Sequence, residues 1–563
     1  MAEGKSLPLM ALPVKTLLHD ILPNLRPQDV VNLAQCNRFF AGLCNDNGLW
    51  KHLLKRDYNF TGEDTARTSD WKLIYRGMYR PKVFVWGEVN HGRLGLEKIP
   101  SSTVYGVPYP VQLQMRGIRI VNLVAGGMSF HALDSSGNVH VWGTLNGEMY
   151  GSDSQGFCQS GRRARTPHQL DLPAPICSIS CGRLHSSCLD RNGSVWTFTN
   201  WGRPFRLASP VLRDAEFAPK QVECGWTFSS FLTEPGRVFV WWPSAGHMGE
   251  IVARRMRQMD GQGKMVQASG QQIIPCVPWD MEKLPVMLPL IPSLPGLRET
   301  GDISHPDGTR LIQIAAFDHH IIGLTNRGHV LKFGPMYNEN EVSNGRWEYL
   351  PNFSEVERIR EHPVFQEPGD GKKVAAPEAM QITHISANFE RFVAYSTGAS
   401  SVVLIGDVGT TVHSQPKIIP ELQYRSVISV VLGDYHSAAV TADGRLLSWG
   451  SFSKGALGLG HPSFLKPGTA GGFSTERDSR MRREPPAVTV PTEVRFDNQI
   501  GSARKWYCIS ATAAGWHTGA LVVDLESENK AENLEDLETD NIDSQTFARP
   551  FGSDHFLSTW WED

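Results

Sequence analysis

The chain has 563 residues, 40% of them apolar, and 55 Lys and Arg against 58 Asp and Glu leave a formal charge of -3. That length exceeds one ordinary core, so several domains or a repeat array are expected, and charge so evenly balanced gives no electrostatic basis for a nucleic-acid or anionic-membrane partner. Nine cysteines contain no CxxC pair; the nearest grouping, Cys177, Cys181 and Cys188, reads as reduced thiols of a cytoplasmic or nuclear protein.

The apolar stretch from Leu7 to Leu25 is interrupted by Pro8, Pro13, Lys15, His19, Asp20 and Pro23, which speaks against a signal peptide or a membrane span. Pro13 suits a first helical turn, and Leu17, Leu18, Ile21, Leu22 and Leu25 follow at helical spacing. Pro27 and Asp29 announce a second helix through Val30, Val31, Leu33, Ala34 and Cys36. Phe39, Phe40 and Leu43 come next, then a third segment over Leu49–Leu54. Helices this short and apolar cannot bury each other completely, so an exposed apolar docking surface is expected. Trp71, Ile74, Tyr75 and Met78 predict one more helix in a linker over 57–80 that holds the module at a fixed angle.

Leu12-Pro13, Ile21-Leu22, Leu25, Asp29-Val30, Leu33, Cys36-Asn37-Arg38-Phe39-Phe40 and Leu49-Trp50 resemble the F-box family in order and spacing over residues 9–56. Val14 replaces a frequent acidic residue of that family, and Phe40 an aromatic that is usually Trp. The resemblance implies docking to the SCF adaptor protein, and through it to a cullin. The adaptor-facing candidates are Leu12, Pro13, Ile21, Leu22, Leu25, Val30, Leu33, Cys36, Phe39, Phe40 and Trp50.

From residue 81 onward the pattern changes. Short β-branched and aromatic runs such as Val83-Phe84-Val85-Trp86 and Val238-Phe239-Val240-Trp241 are bounded by Gly and Asn/Asp, and no useful helical stripe competes with them, so they read as strands. Aligning on the turn glycines Gly137, Gly193, Gly236, Gly328 and Gly444 puts Trp142, Phe198, Trp241, Phe333 and Trp449 five residues on. A sixth copy, Ile382–Gly406, is degenerate, with Leu404-Ile405-Gly406 in place of the aromatic pair. The seventh is split: Cys508–Asp524 has the front of the unit and Val83–Leu96 its back. Sharing one unit between two ends removes free sheet edges and predicts a closed ring over 81–525, sealed by strand 83–87. Gly-x-x-His, Gly-x-Val, Trp-Gly and the Gly-x-Leu-Gly of Gly92–Leu96 and Gly455–Leu459 resemble the regulator of chromosome condensation repeat, which implies a seven-bladed β-propeller. The fold class is therefore multidomain, a small all-α module followed by an all-β propeller with long insertions.

His185, His320, His436 and His517 recur once per unit, with Ser129 and Phe228 at the same place elsewhere. One histidine per blade reads as structural rather than as a catalytic or metal group. His319-His320 beside Asp318 is the one dense cluster, and adjacent strand residues point to opposite faces. Three long insertions, 254–310, 337–379 and 461–499, read as decoration, except that the oily Cys276–Leu297 must pack or bind. The Arg477–Arg483 run reads as a solvated loop, and 526–563 as an acidic, flexible tail from which Phe556–Trp561 could dock back.

No GxxxxGK[ST], GxSxG, HExxH or zinc-spaced cysteine set occurs, so no catalytic, metal or cofactor site is expected. An F-box ahead of this propeller is similar to the fungal SCF-associated factors. It implies a non-catalytic receptor of a cullin-RING ubiquitin ligase with an unidentified protein substrate. The alternative is a guanine-nucleotide exchange factor for a small GTPase, although no wedge between blades and no basic N-terminal arm is found.

Overall fold

A computed structural model describes residues 9–63, 65–99, 105–147, 153–263, 265–297, 308–366, 374–398, 401–481, 483–497 and 505–525. The expected tail and its docking segment, 526–563, lie outside the described residues.

The ring consists of seven sheets. Taking blades in chain order, their first strands are Ile120–Ala125, Ile176–Cys181, Pro219–Cys224, Leu311–Phe317, His384–Asn388, Val427–Leu432 and Trp506–Ala514. These innermost strands stand against one another around the centre, and the circle closes where blade seven meets blade one. Blade seven is the split one. Lys82–Gly87 lies between His517–Asp524 and Val107–Leu113, with Trp86 opposite Thr518. The N-terminal strand therefore supplies the third strand of the last blade and ties the two ends of the ring together through one sheet.

The repeat motifs have visible packing reasons. Each large aromatic of the third strand sits opposite the second residue after the turn, as Trp142 opposite Phe130 and Trp449 opposite Ser437. In Gly-x-Leu-Gly the leucines, Leu94 and Leu457, are buried, and the closing glycine lies against the tryptophan of the next blade. A Cβ on Gly458 (φ 71°) would fall 2.6 Å from Trp86 Nε1, and that indole N–H donates to Ala456 O at 2.8 Å. Gly95 has the same relation to Trp142.

Blade five is the degenerate copy, and it has three strands only, the last being Val403–Asp407. Its packing exchanges large for small: Gly406 occupies the aromatic's place, and Phe392 across the pair fills the volume. The outer edge is closed by the chain itself. Ile405 and Lys417 exchange backbone hydrogen bonds, and Gln423 bonds both the N–H and the C=O of Val403.

The third blade's insertion departs from the strand-only expectation. Gly246–Gly261 is a helix whose Met248, Val252 and Met259 are buried; its exposed Arg254 and Arg257 obscure the apolar stripe in the sequence. Beyond it, Ile273–Pro275 adds in parallel to the outer edge of blade one beside Gln169–Asp171, and Trp279–Met281 adds likewise to blade two beside Phe205–Leu207. Val286–Met287 then completes blade three. On blade four the strap is held by Trp347 Nε1 donating to Pro289 O and by His329 Nε2 to Pro295 O. The stretch from Ile273 through the oily Cys276–Leu297 is thus a belt across four blades, although Leu290 remains exposed.

Candidate adaptor surface and propeller mouth

The helical module is built on local caps. After an irregular helical run from Val14 to Asn24 come Pro27–Ala34, Arg38–Leu43 and Asn47–Tyr58. Asn37 accepts from Phe40 N and Asp46 from Leu49 N, both at 2.9 Å, which satisfies first-turn donors. Of the eleven adaptor candidates, Leu22, Val30, Phe40 and Trp50 are buried and belong to the module's interior. Trp50 is fixed there by its indole N–H donating to Cys44 O at 2.7 Å. Pro13 and Cys36 are exposed, and Leu12, Ile21, Leu25, Leu33 and Phe39 are half-buried. Pattern alone did not separate these groups, because both recur at helical spacing. Leu9, Met10 and Val14, absent from the sequence-based set, are exposed as well. Asn37 Nδ2 donating to Met10 Sδ brings Met10 beside the third helix.

The segment leaving the module crosses one end of the propeller's central channel. Asn59 Nδ2 donates to Ile176 O of blade two at 3.1 Å, and Ala66 N to Ile428 O of blade six at 2.6 Å. Arg67 Nη1 donates to Ala442 O and to the Tyr507 hydroxyl of blade seven. The linker helix, Trp71–Gly77, lies against the same blade, with Gly77 beneath Val523. Arg119 completes the seat, 4.9 Å from the Tyr58 ring centroid and bonded to Tyr79 O. These contacts fall at the starts of inner strands, the turns beside them, or, for Val523, the end of the neighbouring strand.

The inner strands end at the opposite face, around a shallow mouth lined by residues from every blade. Arg183 pairs with Asp434 at 3.5 Å and lies 5.0 Å from the Trp226 ring centroid. Trp226 packs on Phe389 at 5.5 Å, and Phe389 on Tyr435 at 5.8 Å. Tyr435 is 52% and Trp516 39% exposed. Burial holds the Asp434 carboxyl above the usual range, against the pull of Arg183, Arg93 and Arg391. None of these mouth residues was singled out from sequence. They occupy the variable positions inside the Gly-x-x-His turn, so the signal available was place rather than residue type.

Three of the four repeat histidines tie blade to blade, whereas the ring Nδ1 of His320 is buried without a hydrogen-bond partner. His185 Nε2 meets Phe228 O and Ser229 Oγ, His436 Nε2 lies 2.8 Å from Thr518 Oγ1, and His517 Nε2 is 3.3 Å from Ser129 O. In the degenerate blade Arg391 takes the place, donating to Gly433 O and His436 O of the neighbour. Burial drives these histidines to the neutral form, His185 to about 4 and His436 to about 3. Among the described residues no group of three His, Cys, Asp or Glu could hold a metal. The basic run pairs with its own helix, Arg480 with Glu476 and Arg483 with Asp478. No helix among the described residues is long and apolar enough to cross a membrane.

Comparisons with known proteins converge on the same two parts. An F-box-like family model matches residues 9–56, and a regulator of chromosome condensation (RCC1) repeat model matches 427–456. F-box protein pof9 of Schizosaccharomyces pombe is 29% identical over 91% of this chain and 90% of its own. SCF-associated factor 1 of Saccharomyces cerevisiae is 38% identical over 17% of this chain and 14% of its own. Human E3 ubiquitin-protein ligase HERC2 is 29% identical over 35% of this chain but only 4% of its own length. This chain thus spans a small fraction of some of its curated relatives. The solved structure of Prp20p from Saccharomyces cerevisiae aligns with 84% of the chain at 17% identity and a TM-score of 0.47. The chain carries an F-box-like domain seated on one face of a seven-bladed propeller that includes RCC1 repeats.

Proposed function

We propose that this chain is the substrate-recognition subunit of an SCF-type ubiquitin ligase. The F-box docks the adaptor and, through it, the cullin, while the propeller recruits the protein to be ubiquitinated and degraded. The chain itself performs no bond chemistry; it raises the local concentration of a target lysine near the charged conjugating enzyme. One observation carries this reading. The F-box-like module plugs one end of the channel through Asn59, Ala66 and Arg67, keeps Pro13, Leu25, Leu33 and Cys36 at least partly exposed, and leaves the mouth open on the far face. Adaptor and target would then occupy opposite sides of a rigid body.

The test is affinity purification of the full chain beside the Pro13→Ala, Leu25→Ala double variant, with the proteasome inhibited and bound proteins identified by mass spectrometry. Adaptor and cullin should disappear from the variant while a further protein stays and accumulates. Full retention of the adaptor sinks the assignment. Accelerated nucleotide release from a small GTPase, unaffected by the double substitution, would favour the exchange-factor reading.

A further inference from the structure

The charges at the mouth are unevenly spent. Arg391 gives its guanidinium to the carbonyls of Gly433, Asp434 and His436. Arg93 is buried and turns its Nε to Asn90 O. Arg183 is paired with Asp434 and stacked on Trp226. Arg391 and Arg93 are therefore committed inside the fold, and Arg183 is so except for its Nε, which has no hydrogen-bond partner. Two carboxylates are more loosely held: Asp318, on the mouth wall, lies 3.5 Å from His319, and the exposed Glu390 is engaged by the neighbouring Arg391 through charge alone. On the same face the rings of Trp226, Phe389 and Tyr435 pack in a row.

Phe389 itself is unusual. Its φ is 54°, a left-handed conformation that a bulky side chain rarely adopts. The equivalent turn of blade seven meets the same requirement with Gly515, φ 50°. Glycine would serve the turn, so the phenylalanine is not there for the backbone, and strain of this kind collects at functional sites.

We infer that the mouth is the target-docking site, and that it takes an arginine or lysine side chain of an extended protein segment. The cation lies against the Phe389 and Tyr435 rings and pairs with Asp318, with Glu390 at the rim. Loosely held carboxylates beside open aromatic faces complement a cation and repel an anion. The fold already shows the mode, because Arg183 makes the same combination of ring and carboxylate with Trp226 and Asp434. This inference rests on the receptor reading for the statement that the segment belongs to a degradation target, and on the mouth alone for its chemistry.

The experiment uses the full chain and fluorescein-labelled peptides Gly-Ser-Leu-X-Leu-Ser-Gly, with X as Arg, Lys, Gln or Glu, followed by fluorescence polarisation. Arg and Lys peptides should bind at least about fivefold more tightly than Gln, and Glu weakest. Phe389→Gly relieves the left-handed strain and is expected to fold. It should abolish that preference, as should Asp318→Asn, since Asn tolerates the same backbone region. Equal binding of all four peptides, stronger binding of the Glu peptide, or no effect of Phe389→Gly overturns the inference. Adaptor capture by the same preparations is scored separately. Adaptor retained without peptide selectivity refutes the mouth alone, whereas peptide selectivity without adaptor refutes the receptor reading alone.

Discussion

Arg67 lies 5.3 Å from the ring centroid of Tyr507, a guanidinium from the linker behind the helical module stacked beside the start of the split blade's inner strand. The same group donates to the Tyr507 hydroxyl and to Ala442 O. One side chain thus joins the module to blades six and seven at the seam where the ring closes.

Arg67→Ala should loosen that joint. Losing a buried, charge-assisted pair of hydrogen bonds and a stacked cation costs about 2–3 kcal/mol. The expected result is faster hydrogen exchange across 59–77 with the remote blades three and four unchanged. Adaptor capture should persist, because the exposed apolar residues of the module are untouched.

Leu25 and Leu22 separate contact from core. Leu22 is fully buried and Leu25 half-exposed, so Leu22→Ala should destabilise the module by about 2–5 kcal/mol. Leu25→Ala should leave the melting temperature within about a degree and still weaken adaptor binding. Equal losses of stability in thermal melts would show that both side chains belong to the interior.

Much of this architecture is legible in sequence for a physical reason. Trp86, Trp142 and Trp449 recur with their glycines because each blade repeats one packing problem, so a repeated residue marks a repeated contact. The split blade follows because Cys508–Asp524 lacks a third strand and Val83–Leu96 supplies one. The belt is a different matter. Ile273–Pro275 and Trp279–Met281 pair with strands about a hundred and about seventy-five residues earlier, and three-residue edge strands carry no periodicity. The mouth escapes for the opposite reason: Arg183, Trp226, Phe389 and Asp434 hold one place in the repeat with four different chemistries, and Asp318, at the same place, stands out in sequence only through the histidines that follow it.

Gly458→Ala tests the seam from the other side. A Cβ would meet Trp86 Nε1 at 2.6 Å and would sit at φ 71°, so a loss of about 1–3 kcal/mol is expected from combined overpacking and strain. Trp86→Ala should cost more, about 3–5 kcal/mol, since its fully buried indole would leave a cavity in the closing blade. Denaturant unfolding of the two variants checks the order.

Acid should weaken the ring through its histidines. His185, His436 and His517 are fully buried, and burial depresses all three. In the unfolded chain each takes a proton below about 6.5; in the folded chain His185 waits until about 4 and His436 until about 3. The unfolded state therefore binds more protons as the pH falls, and stability declines from about pH 6.5 downward, each histidine contributing up to about 2 kcal/mol of loss at pH 5. Asp434, whose carboxyl burial raises, acts in the opposite sense but is a single group. Melting temperatures at pH 7.5, 6 and 5 should fall steadily, and His436→Gln, which keeps a polar side chain opposite Thr518, should flatten the slope.

Ile274→Asp probes the belt. Ile274 is fully buried where the strap adds to the edge of blade one opposite Leu170, and an unpaired carboxylate there cannot be solvated without releasing the strand. Release exposes the outer backbone of 164–171 and, because the strap runs on to blade two, that of 205–207 as well. Hydrogen exchange should therefore rise at both edges together, while blade five, whose own edge is closed by Lys417 and Gln423, stays protected. A rise confined to 273–275 would mean that the belt is laid on the ring rather than holding it, and that the four blades it crosses are stable without it.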